Sequence, residues 1–381
     1  MRIIGFKYRI KPTKGQEKLL MDHISHNRFA YNKLVDYSWI QYLNGIKNQN
    51  LVTLGRYLQQ LKQEHEFLYE IDSNSSQQVI RHFLSGIKNM FKGISGKPKH
   101  KKKGIDDRSF RAPMRINIKL NFNDKFNSSI KLPKFNKPIK LIYHRNIPDG
   151  SRIVSYTVSR KCNGEWYISF QCEVPDSYFK KSKGKNIVGI DLGIKTYATL
   201  SDGTIIKNPK YMELAINKLK QLHKKYSKYK KKDKLNPKLN KYKINRHLRK
   251  LQNQYVKVHN QIMDFIHKMS AKLINDSQVI CLETLGVKDM LERKGVDSSL
   301  KRQIQYANWG ACLNILKYKA DWYGVEIRLV PKNFPSSKLC SNYHNKDDTV
   351  TLRDRTYECK KCGHSMDRDL NAAINILNNA K

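Results

Sequence analysis

The chain has 381 residues, 74 of them Lys or Arg and 32 Asp or Glu, for a formal net charge of +42. Its 39% hydrophobic and 10% aromatic content can build packed cores, which excludes a wholly disordered basic tail. No run approaches the roughly 18 apolar residues of a membrane span, and the charged start Met1-Arg2-Ile3-Ile4-Gly5-Phe6-Lys7 is no secretory signal, so a soluble cytoplasmic protein of two or three units is expected.

Residues Met1 to Ile10 predict a strand with Ile4, Phe6 and Tyr8 on one face, and Thr13 with Gln16 forms a helix-start capping box. Leu20, Ile24, Tyr31 and Leu34 recur at helical spacing, as do Val79, Phe83, Ile87 and Met90, so the first third reads as helical. It ends in Gly96-Lys97-Pro98-Lys99-His100-Lys101-Lys102-Lys103-Gly104, too charged to pack. Lys97, Lys99, Lys101, Lys102 and Lys103 are expected to contact phosphates; a solvated linker is the alternative.

From Ile116 to Val174 the period becomes two, through Ile116, Ile118 and Leu120, then Ile139, Leu141 and Tyr143, then Val154, Tyr156 and Val158. Asn163-Gly164 before Trp166-Tyr167-Ile168-Ser169-Phe170 signals a hairpin, and the short strands together suggest a small β-barrel. After a polar linker at Asp176 to Lys185, strands and helices alternate. Two strands surround Gly193, and two basic helices follow, interrupted near Asn236-Pro237. The second helix carries the apolar stripe Leu248, Leu251, Tyr255, Val258, Ile262 and Phe265. On the first, Lys224, Lys225, Lys230, Lys231 and Lys232 are candidate nucleic-acid contacts, with an ordinary solvated face as the alternative. Gln278 to Leu282 predicts a strand, Trp309 to Tyr323 a helix, Val325 to Val330 a strand and Asn371 to Leu377 a short helix.

Self-repulsion among so many cations calls for a polyanionic partner, and their spread along the chain suits nucleic acid better than a membrane surface, for which one basic segment suffices. A generic basic protein from a Lys- and Asn-rich genome would explain Lys over Arg but not the scarcity of acids. Seven cysteines make an odd number, arguing against a disulfide framework. Cys162, Cys172, Cys281 and Cys312 sit alone in strand-like or apolar surroundings as buried thiols, whereas Cys340, Cys359 and Cys362 cluster.

Three acids stand in unusual contexts: Asp191 inside the apolar IVGIDLGIKTYATLSDG, Glu283 ending QVICLETL, and Asp369 in MDRDLNAAINIL. Carboxylates brought together by folding repel one another, and divalent cations are the usual remedy. Two Mg²⁺ ions in such a cluster suit phosphodiester cleavage. Each acid alone has a structural alternative, a backbone hydrogen bond for Asp191 and helix capping for Asp369.

The chain resembles the TnpB family, proteins carried by insertion sequences and related to type V CRISPR effectors. The resemblance rests on GIDLGIKTYATLSDG, ICLETLGVKDM, and NFPSSKLCSNYH followed by YECKKCGHSMDRDLNAAINI, with weaker matches in IKPTKGQEKLL, GKPKHKKK, IKLPKF and GEWYISF. These cover almost the whole length in the family's order. The resemblance implies an α/β multidomain protein: an RNase H-like (RuvC) nuclease domain at 184–381 with a basic helical hairpin at 208–272 and a zinc-ribbon insertion at 333–364, a wedge β-barrel at 1–12 and 112–183, and a helical recognition lobe at 13–111. It implies RNA-guided DNA cleavage by a monomer, with a guide RNA from the element end, double-stranded target DNA and a short flanking motif. Asp191, Glu283 and Asp369 match the family's catalytic acids, with Asp367 the nearby competitor for the third place, set aside because the family's acid immediately precedes the xNAA segment. Alternatives are a cleavage-deficient RNA-guided repressor, disfavoured by the presence of all three acids, and a transposase or its accessory protein.

One departure concerns zinc. The family has two Cys-x-x-Cys pairs, but Tyr343 stands where the second Cys of the first pair belongs. A Cys₃His site from Cys340, His344, Cys359 and Cys362, holding one structural Zn²⁺, is the expected arrangement; His364, two residues beyond Cys362, is less suited.

Overall fold

The computed structural model describes residues 1–46, 49–103, 108–115, 118–235, 241–292, 295, 297–351 and 354–380, with the backbone alone for 232–235. The chain divides into two compact units, Met1–Tyr178 and Phe179–Lys381. No helix among the described residues is long and apolar enough to cross a membrane.

In the first unit, strand β1 (Arg2–Lys11) buries every second residue, Ile4, Phe6, Tyr8 and Ile10, as its period-two pattern requires. Helix α1 (Lys14–Leu43) starts at Thr13, whose Oγ1 accepts from the Gln16 N–H while its own N–H donates to Gln16 Oε1. Helices α2 (Leu51–Glu64) and α3 (Ser73–Phe91) pack on it through one buried cluster, including Leu34, Leu58 and Phe83. The remaining strands are β2 (Ser109–Pro113), β3 (Lys119–Asn121), β4 (Ser128–Lys131), β5 (Ile139–Ile142), β6 (Arg152–Arg160) and β7 (Trp166–Val174). They form one sheet in the order β2-β6-β7-β1-β5-β4-β3, antiparallel throughout. Where a barrel is expected, no ladder among the described residues joins β2 to β3, and these terminal strands are short. Ile116 and Gly104 lie outside the described residues. The β6–β7 hairpin turns through Asn163 and Gly164, the glycine at φ 86°, a left-handed conformation that disfavours a side chain.

The second unit contains β8 (Asn186–Leu192), β9 (Thr196–Leu200), β10 (Ile205–Lys207), α4 (Tyr211–Leu235), α5 (Lys241–Asp276), β11 (Ser277–Glu283), α6 (Val287–Glu292), α7 (Ser298–Ala307), α8 (Trp309–Tyr323), β12 (Glu326–Val330), the hairpin β13 (Thr356–Glu358) and β14 (Ser365–Asp367), and α9 (Arg368–Asn379). The five-stranded sheet runs β10-β9-β8-β11-β12, with β10, β9 and β8 antiparallel and β8, β11 and β12 parallel. Even-numbered residues of the parallel strands, Val188, Ile190, Ile280 and Leu282, enter a large core with Ile266 of α5 and Leu316 of α8. On the opposite face, Val279 and Cys281 meet Ile376 of α9. The apolar stripe of α5 divides: Leu251 and Val258 pack on Met212, Ala215 and Leu219 of α4, while Tyr255 is exposed. The break near Asn236-Pro237 lies outside the described residues.

Candidate active site

Strand register brings Asp191 and Glu283 together. In the parallel β8–β11 pair Ile190 lies opposite Leu282, so the next residues, Asp191 and Glu283, stand side by side at the carboxyl ends of adjacent strands. Both follow the alternation that aims Gly189 and Cys281 at α9. Helix α9 crosses β8 so closely that a Cβ on Gly189 would run into the Ala373 carbonyl oxygen. Asp369 is four residues before Ala373 and shares its helix face, so this crossing directs it at the strand end holding Asp191.

The electrostatics agree. Burial, then the charges of Asp369 and Glu283, push the Asp191 carboxyl up to about 7. Burial also raises Glu283. The helix cap is Asp367 rather than Asp369: one Asp367 Oδ1 accepts the N–H groups of Asp369 and Leu370 at 2.9 and 3.0 Å. The Asp369 carboxylate is instead paired with Arg368, whose Nη2 donates to Oδ1 at 2.9 Å. Arg368 is buried, donates through Nη1 to the Thr351 carbonyl, and lowers the Asp191 pKa against the carboxylates around it. Its sequence neighbours gave no sign of this role. It is the cation that the cluster keeps for itself.

The three carboxylates do not close to within 4.8 Å of one another as a group; among the described residues, the sulfurs of Cys340, Cys359 and Cys362 form the one such set. Hard oxygen donors, whose burial and mutual repulsion raise Asp191, fit Mg²⁺. The three thiols fit Zn²⁺. His344 is outside the thiol group, in a left-handed conformation with φ 55°.

Two buried asparagines of α9 join the two centres. Asn371 accepts from the Ser341 N–H at 3.0 Å and donates to the Leu339 carbonyl at 2.7 Å, while Asn375 donates to the carbonyls of Leu339 and Ser336. Cys340 therefore sits between residues tied to the helix that carries Asp369.

The basic loop of the first unit departs from its expected lack of packing. Pro98 is buried, His100 meets Asp36 at 2.6 Å, and Asn32 exchanges two hydrogen bonds with the Lys101 backbone. Lys97 lies 3.7 Å from the Trp39 ring centre and Lys101 4.2 Å from that of Tyr31. Cation–π seating on aromatics of α1 thus holds part of the loop, while Lys99, Lys102 and Lys103 are exposed. Beside it, a cleft of about 360 Å³ is lined by Arg28, Gln78, Arg81, Lys101 and Arg111, a cationic hollow whose residues are scattered too widely to be grouped from sequence. On α4, Lys224, Lys225, Lys230 and Lys231 are exposed; the Lys232 side chain lies outside the described residues.

Comparisons with known proteins follow the same lines. A family model described as "Cas12f1-like, TNB domain" matches residues 309–376, "Probable transposase" matches 169–294, and "Helix-turn-helix domain" matches 1–46. A Streptomyces pristinaespiralis protein named "Putative RNA-guided DNA endonuclease" is 31% identical over 98% of this chain and 88% of its own length. The Escherichia coli K12 protein "Putative RNA-guided DNA endonuclease InsQ" is 27% identical over 99% of this chain and 92% of its own. "TnpB-like protein L79" of Acanthamoeba polyphaga mimivirus is 33% identical over 55% of this chain and 40% of its own. In fold, the chain is similar to the protein in "Cryo-EM structure of the Cas12f1-sgRNA-target DNA complex", with a TM-score of 0.58 at 16% identity, covering 95% of this chain and 82% of that one. With sequence identity sustained along nearly its full length, the chain belongs to the TnpB family.

Proposed function

We propose that the protein is an RNA-guided DNA endonuclease encoded by an insertion sequence, acting as a monomer. It carries a guide RNA from the element end, pairs it with double-stranded DNA beside a short flanking motif, and hydrolyses a phosphodiester bond. The observation that carries this reading is the convergence of Asp191, Glu283 and Asp369 across two parallel strands and one helix, where burial and then the neighbouring carboxylates raise Asp191. The strand order, third-second-first-fourth-fifth in chain sequence, supports an RNase H-like domain over 184–381. The names of the relatives supply the guide RNA and the DNA.

In this reading Asp191, Glu283 and Asp369 hold two Mg²⁺ ions, which when bound activate water and stabilise the leaving oxygen. Arg368 balances the carboxylates beforehand and keeps Asp369 oriented. The sheet at 1–12 and 112–183 serves as wedge and the helices of 13–111 as recognition lobe. The cationic cleft, the loop lysines and the exposed α4 lysines within 208–272 follow nucleic-acid backbone, since base pairing supplies the sequence specificity.

The test is purification with copurifying RNA, sequencing of that RNA, and incubation with matched DNA and Mg²⁺. Guided cleavage is expected. Cutting without the RNA, or binding without cutting by the unmutated complex, would contradict the proposal.

A further inference from the structure

The two halves of the ribbon repeat one backbone motif residue for residue. In the first, Cys340 N–H donates to the Asn345 carbonyl at 2.9 Å and His344 N–H to the Cys340 carbonyl at 2.9 Å. In the second, Cys359 N–H donates to the His364 carbonyl at 2.8 Å and Gly363 N–H to the Cys359 carbonyl at 2.9 Å. Each leading sulfur accepts a backbone N–H from three residues on, Tyr343 to Cys340 Sγ at 3.3 Å and Cys362 to Cys359 Sγ. A left-handed residue follows in both, His344 at φ 55° and Gly363 at φ 69°. The bonds therefore equate Cys340 with Cys359, Tyr343 with Cys362, His344 with Gly363, and Asn345 with His364.

This equivalence locates the missing ligand. The position from which Cys362 presents its sulfur is held in the first half by Tyr343, 60% exposed and of a type that structural zinc does not normally use. His344, the expected fourth ligand, occupies the turn position where the other half has a glycine. Neither it nor His364 joins the three sulfurs. Cys340 and Cys359 are buried and Cys362 is exposed, so the side of the cluster carrying Cys362 and Tyr343 faces water.

We propose that the ribbon holds zinc through Cys340, Cys359 and Cys362 alone, with a fourth coordination position open to solvent, occupied by water and available to a small thiol. Such an arrangement departs from the closed four-ligand site usual for structural zinc. The site is independent of the nuclease reading and stands or falls without it.

The test uses the full chain, reduced and loaded with Co²⁺, with absorption reporting the donors. The expected wild-type spectrum is that of three sulfurs, and it shifts toward four on addition of 2-mercaptoethanol while cobalt is retained. Tyr343→Cys is expected to give the four-sulfur spectrum without added thiol and to raise zinc affinity, by chelator competition, at least about tenfold, the low end of the cost of losing even an outer partner of a metal. His344→Gly and His364→Gln should leave metal content and spectrum unchanged. A wild-type spectrum unmoved by thiol, a spectral change in either histidine variant, or absence of bound metal from the reduced protein would overturn the proposal. The thiol titration needs no substitution, so it decides the matter even where a variant fails to fold.

Discussion

Two sites in the second unit each gather three donors from separate stretches of chain, yet they are prepared differently. At the ribbon, backbone N–H groups fix the sulfurs of Cys340 and Cys359, and all three thiols lie within 4.8 Å of one another. At the strand ends, Asp191, Glu283 and Asp369 are aimed by register and by the α9 crossing, but they stay farther apart as a group, with Arg368 on Asp369. Short turns hold the soft donors, whereas long-range packing holds the hard ones. The difference suits a preformed structural clasp for one and a site that must admit ions and substrate for the other.

Charge is where the comparison breaks most readily. In the metal-free protein the Asp191 pKa of about 7 stands above its unfolded value of about 3.9, so the native state keeps a proton that the unfolded chain loses. The Asp191 contribution to stability should be full below about pH 4, fall as pH rises toward 7 and be gone above, a change of up to about 4 kcal/mol. Asp191→Asn should remove that slope and Mg²⁺ should flatten it, while chelation of zinc leaves it alone. Urea unfolding across this pH range checks all three, and an identical slope in wild type and Asp191→Asn would contradict the account.

Next in size is Gly189→Ala. Its Cβ would meet the Ala373 carbonyl, and backbone yields little, so a loss of about 3 kcal/mol is expected together with loss of cleavage. Zinc content of the protein that remains folded should not change, which separates the two centres. Metal analysis beside thermal unfolding reads both.

Asn371→Ala tests their connection. It leaves the Ser341 N–H and the Leu339 carbonyl without the amide, costing about 2 kcal/mol, and should loosen the ribbon on α9. Hydrogen exchange should rise at Ser341 and along the first turn of α9; a change confined to Ser341 would show that the centres are uncoupled.

Much of this organisation was legible in local pattern. The Thr13–Gln16 capping box starts α1, Trp309–Tyr323 is a helix with the expected ends, and the two strands surrounding Gly193 are β8 and β9. What escaped depends on distance or on backbone angle. Trp39 lies 58 residues before the Lys97 it seats, so the basic loop looked too charged to pack. Arg368 reads as an ordinary helix-start residue until Asp369 and Thr351 are seen around it. Tyr343 was visible as a departure, but the turn in which His344 takes the backbone position of Gly363 was not. Strand alternation likewise gives strands but not which edges meet, and among the described residues no ladder joins β2 to β3.

The central claim is that three carboxylates act as one unit. Single-turnover cleavage of matched DNA by the guide-loaded protein should be measured for Asp191→Asn, Glu283→Gln, Asp369→Asn and the Asp191→Asn/Asp369→Asn pair, with DNA binding measured in parallel. Each single change should cost at least about a hundredfold, since metal assistance supplies several kcal/mol, and the pair should cost little more than either alone, with binding retained. Near-normal cleavage by any one variant, or losses that multiply in the pair, would contradict it.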